Sequence, residues 1–106
     1  MSEIFKIAET ELFQKKIKKN KYNRLYKKIT EYIYPMLRKN PYFGPNIKRL
    51  KGNYSGIYRY RVGDYRLFYE IDNEKIIVFI IDLANRKDAY RWKENSYRRN
   101  IEIKYE

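Results

Sequence analysis

The chain has 106 residues, enough for one domain with a single modest core, and its 25 Lys and Arg against 13 Asp and Glu give a net charge of +12. That imbalance points to a polyanionic partner, whether nucleic acid, acidic protein or anionic membrane. The absence of cysteine and histidine excludes disulfides, thiolate chemistry, imidazole catalysis and the commonest metal ligand, and fits a reducing, cytoplasmic setting with no metal or cofactor; there is also no apolar run of about 18 residues and no leader-like apolar block in MSEIFKIAET, so neither a transmembrane span nor a signal peptide is expected.

Glu3 to Ala8 alternates, with Ile4, Lys6 and Ala8 against Phe5 and Ile7, and predicts a strand. Thr10 is placed to cap a helix running to about Lys19, with Leu12, Phe13 and Ile17 on its apolar side; Lys15, Lys16, Lys18 and Lys19 read as its solvated face. Tyr22, Leu25, Tyr26, Ile29, Tyr32, Ile33 and Met36 recur at helical spacing and predict a second helix antiparallel to the first, kinked or thinned at Pro35 and ended by Asn40-Pro41. Pro41 to Gly56 holds two prolines and three glycines together with Lys48, Arg49 and Lys51, and is an irregular segment that reads both as a crossover loop from helices to sheet and as a basic loop beside the sheet's arginine face.

Gly63-Asp64 is a two-residue connection with glycine first, as a type II′ hairpin turn requires. It would set Val62 opposite Tyr65, Arg61 opposite Arg66, Tyr60 opposite Leu67 and Arg59 opposite Phe68. Tyr58, Tyr60, Val62, Tyr65, Leu67, Tyr69 and Ile71 then share a core face, and Arg59, Arg61, Arg66 and Phe68 share the other. Like charges directly across a strand pair are unfavourable, by about 1 kcal/mol near water, and a bound polyanion is the simplest reason to keep Arg61 beside Arg66. Asp72-Asn73-Glu74 marks the next turn, and Ile76 to Leu83, apolar on both faces apart from Asp82, predicts an interior strand. Asn85 to Lys93 reads as a loop entering a helical turn, and 94–106 as a tail in which Ile101, Ile103 and Tyr105 alternate. The sum is a single α+β domain: an N-terminal strand and a two-helix hairpin packed on one face of a small, mainly antiparallel twisted sheet, with the arginine face open and concave.

The string LKGNYSGIYRYRVGDYRLFYEID, followed by IDLANRKDAYR, resembles the RelE/ParE superfamily of bacterial and archaeal toxins from type II toxin–antitoxin pairs, and the order of elements agrees over roughly residues 3 to 91. The resemblance implies a fold like the microbial ribonucleases and a cognate antitoxin as partner. RelE-like members enter the ribosomal A site and cut messenger RNA; ParE-like members poison DNA gyrase and cut nothing. Carried over, the basic positions before the turn fall on Arg59 and Arg61, the arginine after it on Arg66, the arginine of the last motif on Arg86 and the C-terminal tyrosine on Tyr90. Many relatives have histidine where Asn85 stands, so an imidazole acid or base is ruled out here.

On this reading Arg61, Arg66, Arg86 and Tyr90 are the catalytic candidates, and Arg59, Phe68, Lys51 and Lys87 the substrate contacts. Guanidinium groups offer planar, often bidentate contacts to phosphate and suit charge developing on phosphoryl oxygens. Because arginine stays protonated, proton transfer is left to Tyr90, to water or to a strongly perturbed arginine. Phe68 is either a stacking platform for a base or a residue covered by the tail, and Tyr90 either an acid or a packing residue. The expected activity is a ribosome-dependent messenger-RNA endonuclease working by 2′-hydroxyl attack, with a gyrase inhibitor or a non-catalytic RNA-binding module as alternatives.

Overall fold

In the computed structural model, which describes residues 4–51 and 56–88, a five-stranded sheet carries a layer of helices on one face. The order is β1 (Lys6–Glu9), α1 (Glu11–Ile17), a 3-10 turn (Asn20–Tyr22), α2 (Asn23–Lys28), a π-helical segment (Ile29–Ile33), α3 (Tyr34–Lys39), β2 (Ile47–Arg49), β3 (Ile57–Val62), β4 (Tyr65–Asp72) and β5 (Ile77–Asn85). Across the sheet the strands run β1-β5-β4-β3-β2, with β1 parallel to β5 and the other neighbours antiparallel. The expected α+β architecture is the one observed. No helix among the described residues is long and apolar enough to cross a membrane. Tyr90 and the tail 94–106 lie outside the described residues.

The β3–β4 hairpin pairs in the register its turn dictates, Val62 with Tyr65 through to Arg59 with Phe68. Gly63 takes φ of 58° and Asp64 stays out of the left-handed region, as a type II′ turn demands. Tyr60, Val62, Leu67 and Tyr69 are buried against Phe13, Ile29, Ile33 and Leu37 from the helices, with Tyr58, Tyr65 and Ile71 packed at the margin.

The long helix departs from a simple kink. Pro35 has no N–H to give the preceding turn, and its ring would collide with a carbonyl of a regular helix. The chain widens into a π segment just before it, so that the Tyr34 N–H bonds the Ile29 carbonyl. One extra residue in that turn rotates the remainder of the helix about its axis. Ile33, Tyr34 and Leu37 therefore face the core, while Tyr32 and Met36, expected in the buried stripe, are 65% and 47% exposed.

Three further expectations are corrected. The segment Pro41 to Gly56 is not wholly irregular, because Ile47–Arg49 forms the edge strand β2 on β3. Its approach is pinned by the Tyr69 hydroxyl, which donates to the Pro41 carbonyl at 2.7 Å, and by Tyr42, edge-on to both Phe5 and Tyr58. The face opposite the helices is not fully open either. Pairing shifts between Phe68 and Tyr69, which sit opposite Asp82 and Ile80, so Ile81 is an extra residue in β5. Ile81 joins Ile57, Phe68 and Ala84 in a second small buried cluster against which Leu50 packs.

The third correction concerns Lys16, which is not a solvated helix residue. β1 ends at Glu9 opposite Ile80, and among the described residues no strand continues along β5 on that side. Thr10 and α1 take over: the Thr10 hydroxyl donates to the Ile81 carbonyl at 2.9 Å while accepting from the Phe13 N–H, and Lys16 Nζ donates to the Leu83 carbonyl at 2.8 Å and to Asp82 Oδ1 at 2.7 Å. The Asp82 side chain is only 5% exposed. Lys16→Met should therefore lower stability by about 1–3 kcal/mol, the order expected when a buried carboxylate loses a charged donor while keeping its backbone one, the Leu83 N–H. Lys15→Met, which removes only an exposed pair with Glu11, should change it by less than about 0.5 kcal/mol. Urea denaturation near neutral pH measures both.

Glu9 is the other partly buried acid on the helix side. Its Oε2 accepts from the hydroxyls of Tyr26 at 2.8 Å and Tyr34 at 2.7 Å. Burial, reinforced by the bond to Glu9, pushes Tyr26 up to about 12 and raises Tyr34 further for the same reasons; burial also raises Tyr69. In the unfolded chain these phenols ionise near pH 10. Stability should be undiminished below about pH 10 and should fall from there through about pH 12, because the unfolded chain releases these protons at lower pH than the folded one. Urea midpoints across that range should show the fall, and the double variant Tyr26→Phe, Tyr34→Phe should flatten it.

Candidate nucleic-acid interface

The strand register builds the basic face row by row. In one row Arg61 on β3 lies opposite Arg66 on β4, which lies opposite Ala84 on β5. In the next, Lys48 on β2 lies opposite Arg59, then Phe68, then Asp82. Residues directly opposite one another share a face, so Lys48, Arg59, Arg61 and Arg66 all project from the side away from the main core.

Each arginine is held differently. Arg66 folds back over the turn, its Nη1 donating to the carbonyls of Gly63 and Tyr65, both at 3.0 Å. Arg61 is exposed. Arg59 is half-buried, and its Nε is buried with no hydrogen-bond partner among the described residues. Burial first, then the charges of Arg66 and Arg61, lower its pKa from the ordinary arginine value. Arg86 arrives at the same place from β5, because its N–H donates to the Asp64 carbonyl of the turn at 2.7 Å. Among the described residues none of these four arginines has an ion pair.

Asn85, where many relatives carry histidine, has a local task. Its Oδ1 accepts from the Asp88 N–H at 2.8 Å and so closes the turn that follows β5.

Arg59, Arg61, Arg66 and Arg86 are thus brought together at the turn end of the sheet, and Lys87 comes next in the chain, exposed. Lys51 is not. It comes just after Leu50, whose N–H bonds the Ile57 carbonyl at the start of β3, the end farthest from Arg61. Phe68 is corrected: at 3% exposure, enclosed with Ile57, Ile81 and Ala84, it offers no face on which a base could stack. Tyr90 is outside the described residues. Lys48, legible in the sequence only as part of a basic segment beside the arginine face, is a member of the cluster opposite Arg59. The signal for its strand was the alternation of Ile47 and Arg49 against Lys48 and Leu50, hidden between proline and glycine.

Solved structures with this arrangement include toxins. A chain of the RelBE2 toxin–antitoxin complex from Mycobacterium tuberculosis is 25% identical with a TM-score of 0.66, over 78% of this chain and 99% of that one. A chain of the RelB–RelE antitoxin–toxin complex from Methanococcus jannaschii is 27% identical with a TM-score of 0.55, over 81% and 98%. A mutant E. coli RelE toxin in the free state is 21% identical with a TM-score of 0.63, over 91% and 97%. No curated protein sequence matches. The fold is that of RelE/ParE-type toxins. The family model for the ParE toxin of the type II toxin–antitoxin system parDE matches residues 7–90. The chain belongs to that family and is a toxin of a type II toxin–antitoxin pair.

The repulsion within the cluster is measurable. Arg61→Ala should leave the melting temperature level or raise it. A cycle with Arg66→Ala should return a repulsive coupling of up to about 1 kcal/mol that shrinks as salt rises. A favourable coupling would contradict the juxtaposition of Arg61 and Arg66 across the hairpin.

Proposed function

We propose that this toxin is a metal-independent endoribonuclease that cuts messenger RNA in the ribosomal A site, in the cytoplasm, and is restrained by a cognate antitoxin. The observation that carries this reading is the arginine cluster on one hairpin, without an ion pair among the described residues and with the half-buried Arg59 Nε left without a partner. Such a cluster destabilises the protein alone and is relieved by phosphate. Strand register sets where these guanidinium groups start, and the turn carbonyls hold Arg66, so that part of the donor set is preorganised.

In the proposed reaction the 2′-oxygen bonds to phosphorus as the bond to the 5′-oxygen breaks. The 2′-hydroxyl gives its proton to water, and the 5′-oxygen takes one from the Tyr90 phenol, which water then reprotonates. Arg66 and Arg61 hold the non-bridging oxygens, Arg59 and Arg86 add positive potential, and Tyr90 is assigned proton delivery to the leaving group. The toxin–antitoxin complexes among the solved relatives support an antitoxin partner, which on this reading is acidic where it meets Arg59, Arg61 and Arg66.

The match to the ParE model favours a second reading, a gyrase inhibitor with no chemistry of its own. Primer-extension mapping of transcripts after induction separates the two. Cuts inside translated codons support the nuclease; intact transcripts with gyrase-dependent DNA breaks support the inhibitor. On ribosomes programmed with a defined A-site codon, Arg66→Ala should slow cleavage by about 10²–10³-fold, as loss of one preorganised donor does elsewhere. Tyr90→Phe should slow it in a way that a better leaving group at the 5′-oxygen restores. Full activity in both variants would remove this site.

A further inference from the structure

Two large side chains of the helical layer face water. The π segment before Pro35 turns Tyr32 and Met36 out of the buried stripe. They line a groove of about 290 Å³, together with Lys28 from α2, Asn46 just before β2, and Arg61 and Gly63 from the hairpin. The Tyr60 hydroxyl donates to Met36 Sδ at 3.6 Å, and the Arg61 N–H donates to the Asn46 carbonyl at 2.9 Å, so the lining is tied to β3 from both sides. The groove also shares residues with the arginine corner. Arg61 lies opposite Arg66, and the Gly63 carbonyl accepts from the Arg66 guanidinium. Lys28 and Arg61 make no ion pair among the described residues.

We infer that this groove is the subsite for one nucleobase of the bound strand, the base next to the phosphate that the arginine cluster holds. The inference rests on the reading of the partner as RNA. A strand gripped at the corner needs an aromatic surface for its bases, and Phe68 on the sheet face is enclosed. Of the exposed large apolar residues among those described, Ile4, Tyr32, Met36 and Phe43, it is Tyr32 and Met36 that share a groove with Arg61. The Tyr32 ring is the stacking face, and Met36 adds a soft, polarisable contact. Asn46 brings an amide that both donates and accepts, suited to the polar edge of a base. Lys28 and Arg61 meet the flanking phosphates. A lipid chain would leave those two cations and the amide against hydrocarbon. A protein anchor is strongest in a pocket closed to water, and this groove is rimmed by exposed residues.

The test uses the full chain, fluorescently labelled, and ribosomes programmed with a message whose A-site codon and neighbouring nucleotides carry 2′-O-methyl groups and cannot be cleaved. Kd is read by anisotropy as an abasic residue is moved one position at a time through that stretch. At one position, loss of the base should weaken wild-type binding by about tenfold, the effect of removing a stacked base. Tyr32→Ala should weaken binding of the intact message by a similar factor and abolish the dependence on that base. Tyr32→Phe keeps the ring and should behave as wild type. Because Tyr32 is largely exposed, the alanine variant should keep the wild-type melting temperature. Equal losses in the wild-type and Tyr32→Ala chains at every abasic position would overturn the inference. So would a Tyr32→Ala effect confined to binding of the cognate antitoxin, which would give the groove to a protein. Binding that Arg66→Ala weakens on every message, with no position dependent on Tyr32, removes the subsite and leaves the RNA reading standing. Absence of wild-type binding to programmed ribosomes fails the RNA reading itself, and the subsite with it.

Discussion

A connection of two residues leaves β3 and β4 no freedom of register. Gly63 sits in the left-handed region, yet a side chain there would meet nothing within 4 Å. The demand for glycine is therefore one of backbone conformation, not of room. Once that turn is made, alternate residues are committed to opposite faces, and a slip by one would put the arginines in the core. The same turn receives Arg86 from β5 and anchors the Arg66 guanidinium through its carbonyls. Helix packing, the basic face and the arrival of the last motif all depend on this corner.

How much of this was legible depends on how local each determinant is. The hairpin could be read residue by residue, because a two-residue turn is a short-range signal and its consequences are geometric. Thr10 as a cap and the apolar stripe through Ile29 were legible for the same reason. The π segment was not, since periodicity assumes a constant rise and Pro35 perturbs the turn before itself. β2 is three residues long and exists because β3 offers an edge, a tertiary cause with almost no local trace. The burial of Phe68 depends on an extra residue one strand away, and the partner of Lys16 is 66 residues distant.

The chain's few acids help explain its surface. Several are engaged within the fold: Glu9 by two tyrosine hydroxyls, Asp82 by Lys16, and Asp72 by the N–H groups of Glu74 and Lys75 in its own turn. Acids held this way leave the exposed cations uncancelled in the two places where they cluster, the sheet corner and the two-helix hairpin. The electrostatic field is thus a product of internal packing as much as of composition.

The parallel pairing of β1 with β5 has a consequence for synthesis. The first strand and the helix after it find their hydrogen bonds on the strand that comes last in the sheet, with contacts spanning 66 to 71 residues of chain. Such non-local pairing is made late, because loop closure must precede its reward. While the ribosome is still extending residues 77–85, the amino-terminal strand has no partner and Phe13 and Ile17 have no complete core to enter. A growing chain therefore has the arginines of β3 and β4 in place before the strand that brings Arg86 to the same corner has been made.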